Sequence, residues 1–246
     1  MRKVNHLTVS AFAAAFAVVG VAGSASALDI YSQIDAPGVQ IDAVDDFQTT
    51  GADMAGMLVT VHFTNAVSES VVWQDTGATS GGAVGVDGDW SLTQDGDTFI
   101  NDWTLFYSGD KGLLSGFSID GMAAGAGEIG VMFDRTFGFL DGTAGSFLGW
   151  DYETTSTNPF DTLVTYRSEV SLPGDPAVGD LFRYLDVEFR YRPDGENSQP
   201  GIGGLDGENL RSLTFRADTD NNLIPEPGTL ALLGLGALAL VRRRRN

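Results

Sequence analysis

Leu185-Asp186-Val187-Glu188-Phe189-Arg190-Tyr191-Arg192 alternates apolar and charged residues without a break. At a side-chain period of two, Leu185, Val187, Phe189 and Tyr191 share one face of an extended chain, and Asp186, Glu188, Arg190 and Arg192 share the other. That is the pattern of an antiparallel strand with one face on a core and one in water. Pro193-Asp194-Gly195 supplies turn chemistry at its end. The same parity sets Leu213, Phe215 and Ala217 against Thr214, Arg216 and Asp218 and predicts a late strand. Met57–Phe63 and Phe99–Tyr107 read as further strands, with Trp103 and Phe106 as core or rim aromatics. Shorter strands are expected at Val71–Trp73, Trp90–Leu92, Phe117–Ile119, Ile129–Phe133 and Leu163–Val170.

Turn residues separate these runs, at Asp87-Gly88, Asp95-Gly96, Asp141-Gly142 and Pro173-Gly174. The 32 glycines are spread among such turns rather than gathered into a linker. Between the two ends of the chain no long segment repeats with the 3.6-residue period of a helix. Many short strands joined by Gly and Asp turns predict an all-β fold: one antiparallel β-sandwich or jelly roll.

The ends read differently from the body. Residues 1–27 have the form of a secretory signal peptide. Arg2 and Lys3 provide the basic start, Leu7–Ala22 the apolar run, and Ala25 and Ala27 the small residues of a signal-peptidase site. Cleavage after Ala27 is expected; an N-terminal membrane anchor is the alternative. At the other end, Thr229–Val241 is uncharged and rich in Leu, Ala and Gly, and Arg242-Arg243-Arg244-Arg245 follows it. As a helix this run would span roughly 20 Å at about 1.5 Å per residue. A bilayer core is about 30 Å thick, so the run makes a short anchor, with its arginines held on the cytoplasmic side. Pro225-Glu226-Pro227-Gly228 stands just before it. Two prolines around Glu226 fix φ, remove two backbone donors and keep the segment extended, the form in which a protease reads a chain.

A Pro-Glu-Pro motif, a short apolar helix and a terminal basic cluster, in that order, resemble the sorting signal of the PEP-CTERM proteins of Gram-negative bacteria. The resemblance covers 225–246. It implies that Pro225, Glu226 and Pro227 are the recognition motif of exosortase, a membrane-embedded cysteine protease-transpeptidase. It also implies that Arg242–Arg245 hold the tail transiently at the inner membrane until it is removed. The body, 28–224, has a looser likeness to other exported cargo of that family, in Leu92–Leu105, Gly142–Trp150 and Phe215–Asn221, and that likeness transfers no activity.

Of the 33 Asp and Glu only Glu226 lies outside the body, while six of the 14 Lys and Arg lie in the ends, leaving the body with 24 excess negative charges. That sign disfavours nucleic acid and suits solubility, cation binding or residence in a polysaccharide matrix. Cys is absent, which excludes thiol nucleophiles, thiolate metal sites and disulfides. A Ser-His-Asp triad would have to use His62, the body's one histidine, placed inside Val59-Thr60-Val61-His62-Phe63. A strand histidine on a surface or in a polar pocket is the ordinary reading.

Carboxylates are the abundant reactive groups. Asp87-Gly88-Asp89, Asp95-Gly96-Asp97, Asp194-Gly195-Glu196 and Asp206-Gly207-Glu208 offer hard oxygen ligands of the kind Ca²⁺ takes, but Asp-Gly is first a turn signal. The best metal candidate is Asp218-Thr219-Asp220-Asn221-Asn222, with Asp218, Asp220 and Asn222 as weak ligands in a solvated loop or stalk. An EF-hand is excluded, since Leu223 stands where that loop needs Gly and Thr229 where it needs a bidentate Glu. Trp73, Trp90, Trp103 and Trp150 are either sandwich core or platforms for sugar rings. No catalytic constellation stands out, and no cofactor beyond Ca²⁺ is suggested. The chain reads as an exported, non-enzymatic protein of the cell surface or extracellular matrix, associated with exopolysaccharide, with signal peptidase and exosortase as its processing partners. The alternative is a carbohydrate-active domain: a calcium-assisted glycan-binding module or a glycosidase.

Overall fold

The computed structural model describes residues 29–34, 39–40, 48–109, 111–123, 130–135, 149–157, 160–171, 181–191 and 204–222. Among them every regular element is a strand. The first eight in chain order are β1 (Asp29–Ile34), β2 (Val39–Gln40), β3 (Leu58–Phe63), β4 (Ser68–Val72), β5 (Gln74–Asp75), β6 (Ser80–Val84), β7 (Trp90–Asp95) and β8 (Trp103–Tyr107). There follow β9 (Leu114–Asp120), β10 (Gly130–Asp134), β11 (Glu153–Thr154), β12 (Phe160–Ser171), β13 (Leu181–Tyr191), β14 (Ser212–Arg216) and β15 (Asp218–Asn222).

β13 carries the alternating apolar and charged run as far as Tyr191 and begins four residues before it, at Leu181. Leu185, Val187 and Phe189 are buried, while Glu188 and Arg190 are exposed. β13 pairs antiparallel with β12 on one side and with β9 on the other. The nine-stranded sheet built around it runs β1-β12-β13-β9-β3-β4, with β10 also against β13, β15 against β10, and β2 against β12. The second sheet has six strands, in the order β11-β14-β8-β7-β6-β5.

One hydrophobic cluster joins the two sheets. Val59, Val61, Phe117, Ile119, Val164, Leu185 and Val187 enter it from the larger sheet, and Trp90, Leu92, Trp103, Leu105, Leu213 and Phe215 from the smaller. Phe117 stacks on Phe215 across the interior at 5.2 Å, and Phe63 meets Tyr107 at 5.6 Å. These contacts make the two layers a sandwich.

Three expectations change, and β6 adds a strand that no alternation announces. The sheets are not antiparallel throughout: β1 and β2 run parallel to β12, because they arrive from the distant N-terminal part of the body rather than through a hairpin. Phe99–Asp102 is a turn, not the start of a strand. The Asp97 side chain accepts the Phe99 N–H at 3.0 Å, and the Asp97 carbonyl accepts the Asn101 N–H at 2.8 Å. β6 lacks the apolar alternation that announces a strand because it must be nearly bare. A Cβ on Gly81 would lie 2.0 Å from the Gly51 carbonyl oxygen and 2.2 Å from the Trp73 indole nitrogen. Finally, Asp218 does not sit on a wet face. The chain passes from the smaller sheet to the larger at Ala217, so Asp218–Asn222 is a strand, with Asp218, Thr219, Asp220 and Asn221 buried, rather than a solvated loop.

The expected signal peptide over 1–27 and the C-terminal apolar helix lie outside the described residues. Among those described, no helix is long and apolar enough to cross a membrane.

Candidate functional site

Pairing of β10 with β15 sets Asp134 directly opposite Asp218 and Met132 opposite Asp220. Residues two apart on a strand share a face, and cross-strand partners share it too, so Asp134, Asp218 and Asp220 converge. Their carboxylate oxygens lie within 4.8 Å of one another. Asp134 and Asp220 are 0% exposed and Asp218 1%. Three buried carboxylates at this spacing repel strongly unless a cation or protons compensate them.

Asp218 is fixed through one of its two oxygens. Oδ1 accepts the Thr98 hydroxyl at 2.9 Å and the Thr219 N–H at 2.9 Å. The Thr98 hydroxyl in turn accepts the same Thr219 N–H at 3.2 Å. The other oxygen, Oδ2, is buried and accepts no hydrogen bond. Burial pushes the Asp218 carboxyl up to about 8; the Thr98 hydrogen bond opposes this, and the negative charges of Asp134 and Asp97 add to it. Trp150 closes the end of the strand pair: its N–H donates to the Asp134 carbonyl at 3.1 Å, and its carbonyl accepts the Asp218 N–H at 3.2 Å.

Of the predicted ligands, the structure brings Asp218 and Asp220 together, and Asn222 closes β15 opposite Gly130. Sequence reasoning missed Asp134 because its partner lies 84 positions on, and nothing local to Ile129–Phe133 marks the next residue as a ligand. The Asp-Gly motifs within the described residues act as turns and charge partners. Asp206 Oδ1 accepts the N–H groups of Glu208, Asn209 and Leu210 at 2.8–2.9 Å. Asp87 and Asp89, with Glu69, surround the Lys111 ammonium at 3.0–3.1 Å.

A second feature lies on the outer face of the larger sheet, an open groove of about 400 Å³ crossing β3, β9, β12 and β13. His62, Ser118, Thr165, Arg167 and Asp186 line it, and Gly116 lies in its floor. A Cβ there would meet the Val187 carbonyl oxygen at 2.3 Å, so only glycine lets β9 lie this close to β13. The Arg167 guanidinium pairs with Asp186 through both its Nε and its Nη2, the latter at 3.0 Å. His62 Nε2 contacts the Ser118 hydroxyl at 3.0 Å and Nδ1 contacts the Ser68 hydroxyl at 2.9 Å. The imidazole therefore meets a second hydroxyl where a catalytic triad would place a carboxylate.

Burial holds the His62 imidazole below its ordinary 6.5, against the pull of the nearby Asp186 carboxylate. The folded chain thus binds this proton less readily than the unfolded chain. Its contribution to stability is complete above about pH 6.5 and fades as the pH falls through the folded value. Between pH 7 and pH 5 it should amount to less than about 1 kcal/mol, because the ring is only half-buried. Urea unfolding of wild type and His62→Gln at both pH values should show a shallower acid loss in the variant; a steeper one would mean that the Asp186 charge outweighs desolvation.

Three of the four tryptophans, Trp73, Trp90 and Trp103, are fully buried and cannot stack on a sugar. Trp150 is half-buried, with Arg216 over its ring at 5.1 Å and Phe99 against its edge. Ala25, Ala27, Pro225, Glu226, Pro227 and Arg242–Arg245 lie outside the described residues.

Residues 223–245 match the family model described as the PEP-CTERM protein-sorting motif. Neither a curated protein nor a solved structure matches the chain. The chain carries a PEP-CTERM sorting motif directly after the last residue of β15. That motif implies exosortase-dependent export, exosortase as a processing partner, and a place at the cell surface or outside the cell.

Proposed function

We propose that this PEP-CTERM protein is delivered to the cell surface or extracellular matrix as a non-enzymatic component that holds exopolysaccharide in the groove on its larger sheet. In this reading signal peptidase cuts after Ala27, exosortase recognises Pro225-Glu226-Pro227, and Arg242–Arg245 retain the tail until it is removed. The observation that carries the binding role is the groove itself. It is open, as access by a chain polymer requires, and it offers hydroxyls, an imidazole and a paired guanidinium and carboxylate. Such groups match the alternating donors and acceptors of sugar hydroxyls.

The carboxylates argue against hydrolysis. A glycosidase needs two carboxyl groups on opposite sides of the glycosidic bond. Asp186 and Glu188 stand two apart on one strand, and each is paired with an arginine, Arg167 and Arg190. Nucleic acid is disfavoured as a partner by the charge of the body.

Glycan binding by the exported protein tests this reading. Wild type should be retained on the organism's own extracellular polysaccharide and on a subset of an array. Arg167→Gln combined with Asp186→Asn removes both charges without stranding one, and should weaken retention at least about tenfold. Equal retention of the double variant would move the site elsewhere. Failure of wild type to bind any glycan, with or without EDTA, would end the exopolysaccharide reading.

A further inference from the structure

We propose that Asp134, Asp218 and Asp220 form a buried Ca²⁺ site that clamps β15 to β10. The inference does not depend on the groove. It starts from geometry: two oxygens bound to one Ca²⁺ at about 2.4 Å can be at most about 4.8 Å apart, since Ca²⁺–oxygen distances run from about 2.3 to 2.6 Å. The three carboxylates meet that limit as they stand. The donor set is all hard oxygen, which suits Ca²⁺ and does not favour Zn²⁺ or copper.

An independent observation points the same way. Asp218 is 1% exposed, its Oδ1 is fixed by Thr98 and Thr219, and its Oδ2 is left without a hydrogen bond. A buried carboxylate oxygen with no donor bears its full desolvation penalty unless something positive meets it. A shared cation supplies that, and it also removes the mutual repulsion of the three charges. Among the described residues, Lys111 pairs with Glu69, Asp87 and Asp89, Arg135 with Asp151, Arg183 with Asp120, and Arg216 with Asp102.

The position gives the site a consequence. β15 ends at Asn222 and the sorting motif begins at residue 223. Ca²⁺ is scarce in cytoplasm and plentiful outside it. The clamp would therefore close after export and anchor the chain from which the sorting motif emerges.

Exported protein stripped with EDTA and titrated with CaCl₂ tests the site. One Ca²⁺ per chain should bind, the unfolding midpoint should rise by several degrees, and Mg²⁺ should do markedly less. Asp134→Asn should bind Ca²⁺ at least about tenfold more weakly. Hydrogen exchange of wild type locates the ion even if that variant fails to fold. Amides of Val131–Asp134 and Thr219–Asn222 should gain protection with Ca²⁺, while those of Ser80–Val84 should not. No stoichiometric binding, binding unaltered in a folded Asp134→Asn, or protection gained away from β10 and β15 would each overturn the site. An equal response to Mg²⁺ would overturn the choice of ion.

Discussion

Phe215→Ala is expected to lower the unfolding free energy by about 3–5 kcal/mol, among the largest losses a single core truncation produces. Phe215 is fully buried and sits where the two layers meet. Its ring stacks on Phe117 of the larger sheet at 5.2 Å, on Trp103 of its own sheet at 5.7 Å and on Tyr152 at 5.0 Å. Truncation removes the transfer free energy of the ring and leaves a cavity that three rigid aromatics cannot collapse into. Phe106→Ala is the control: on the neighbouring strand its side chain is 37% exposed and points away from the interior, and its loss should cost well under half as much. Urea unfolding midpoints at unchanged m-value give both numbers. Equal losses for the two variants would mean that the sheets do not meet face to face at Phe215.

Deleting Pro225–Pro227 is expected to abolish processing and leave the chain at full C-terminal length in the envelope fraction. The apolar run from Thr229 to Val241 and its four arginines would then persist as a short anchor instead of being cut away. The effect should be close to all-or-none, because a protease that reads an extended segment loses the two residues that hold it extended. Intact mass of the protein from envelope and medium, for wild type and deletion, reads the outcome and fixes both cleavage points. Release of the deletion protein with the wild-type mass would remove the motif from sorting.

The aspartate cluster and the groove are legible in the sequence to different degrees. Alternation along β13 is enough to put Asp186 and Glu188 on its outer face. Strand pairing then adds what alternation cannot: β12, β9 and β3 bring Arg167, Ser118 and His62 beside Asp186. Spacing singles out Asp218 and Asp220, yet as ligands in a loop. The spacing is instead that of a strand face, and the third carboxylate comes from the cross-strand position of β10. Parity says which side chains share a face. It does not say whether another layer will cover that face, and so on parity alone Asp218 faces water.

The Pro-Glu-Pro tail, the absence of cysteine, the acidic balance and the period-two strands can all be read from the order of residues, because each is a property of a residue and its near neighbours. Burial of particular acidic residues together, and the gathering of particular polar residues along one groove, emerge only on folding. They depend on pairings between residues far apart in the chain, such as Asp134 with Asp218 and Ser118 with Asp186, and on which sheet a strand joins. The core as a whole selects those pairings, and a residue's nearest neighbours carry no record of them.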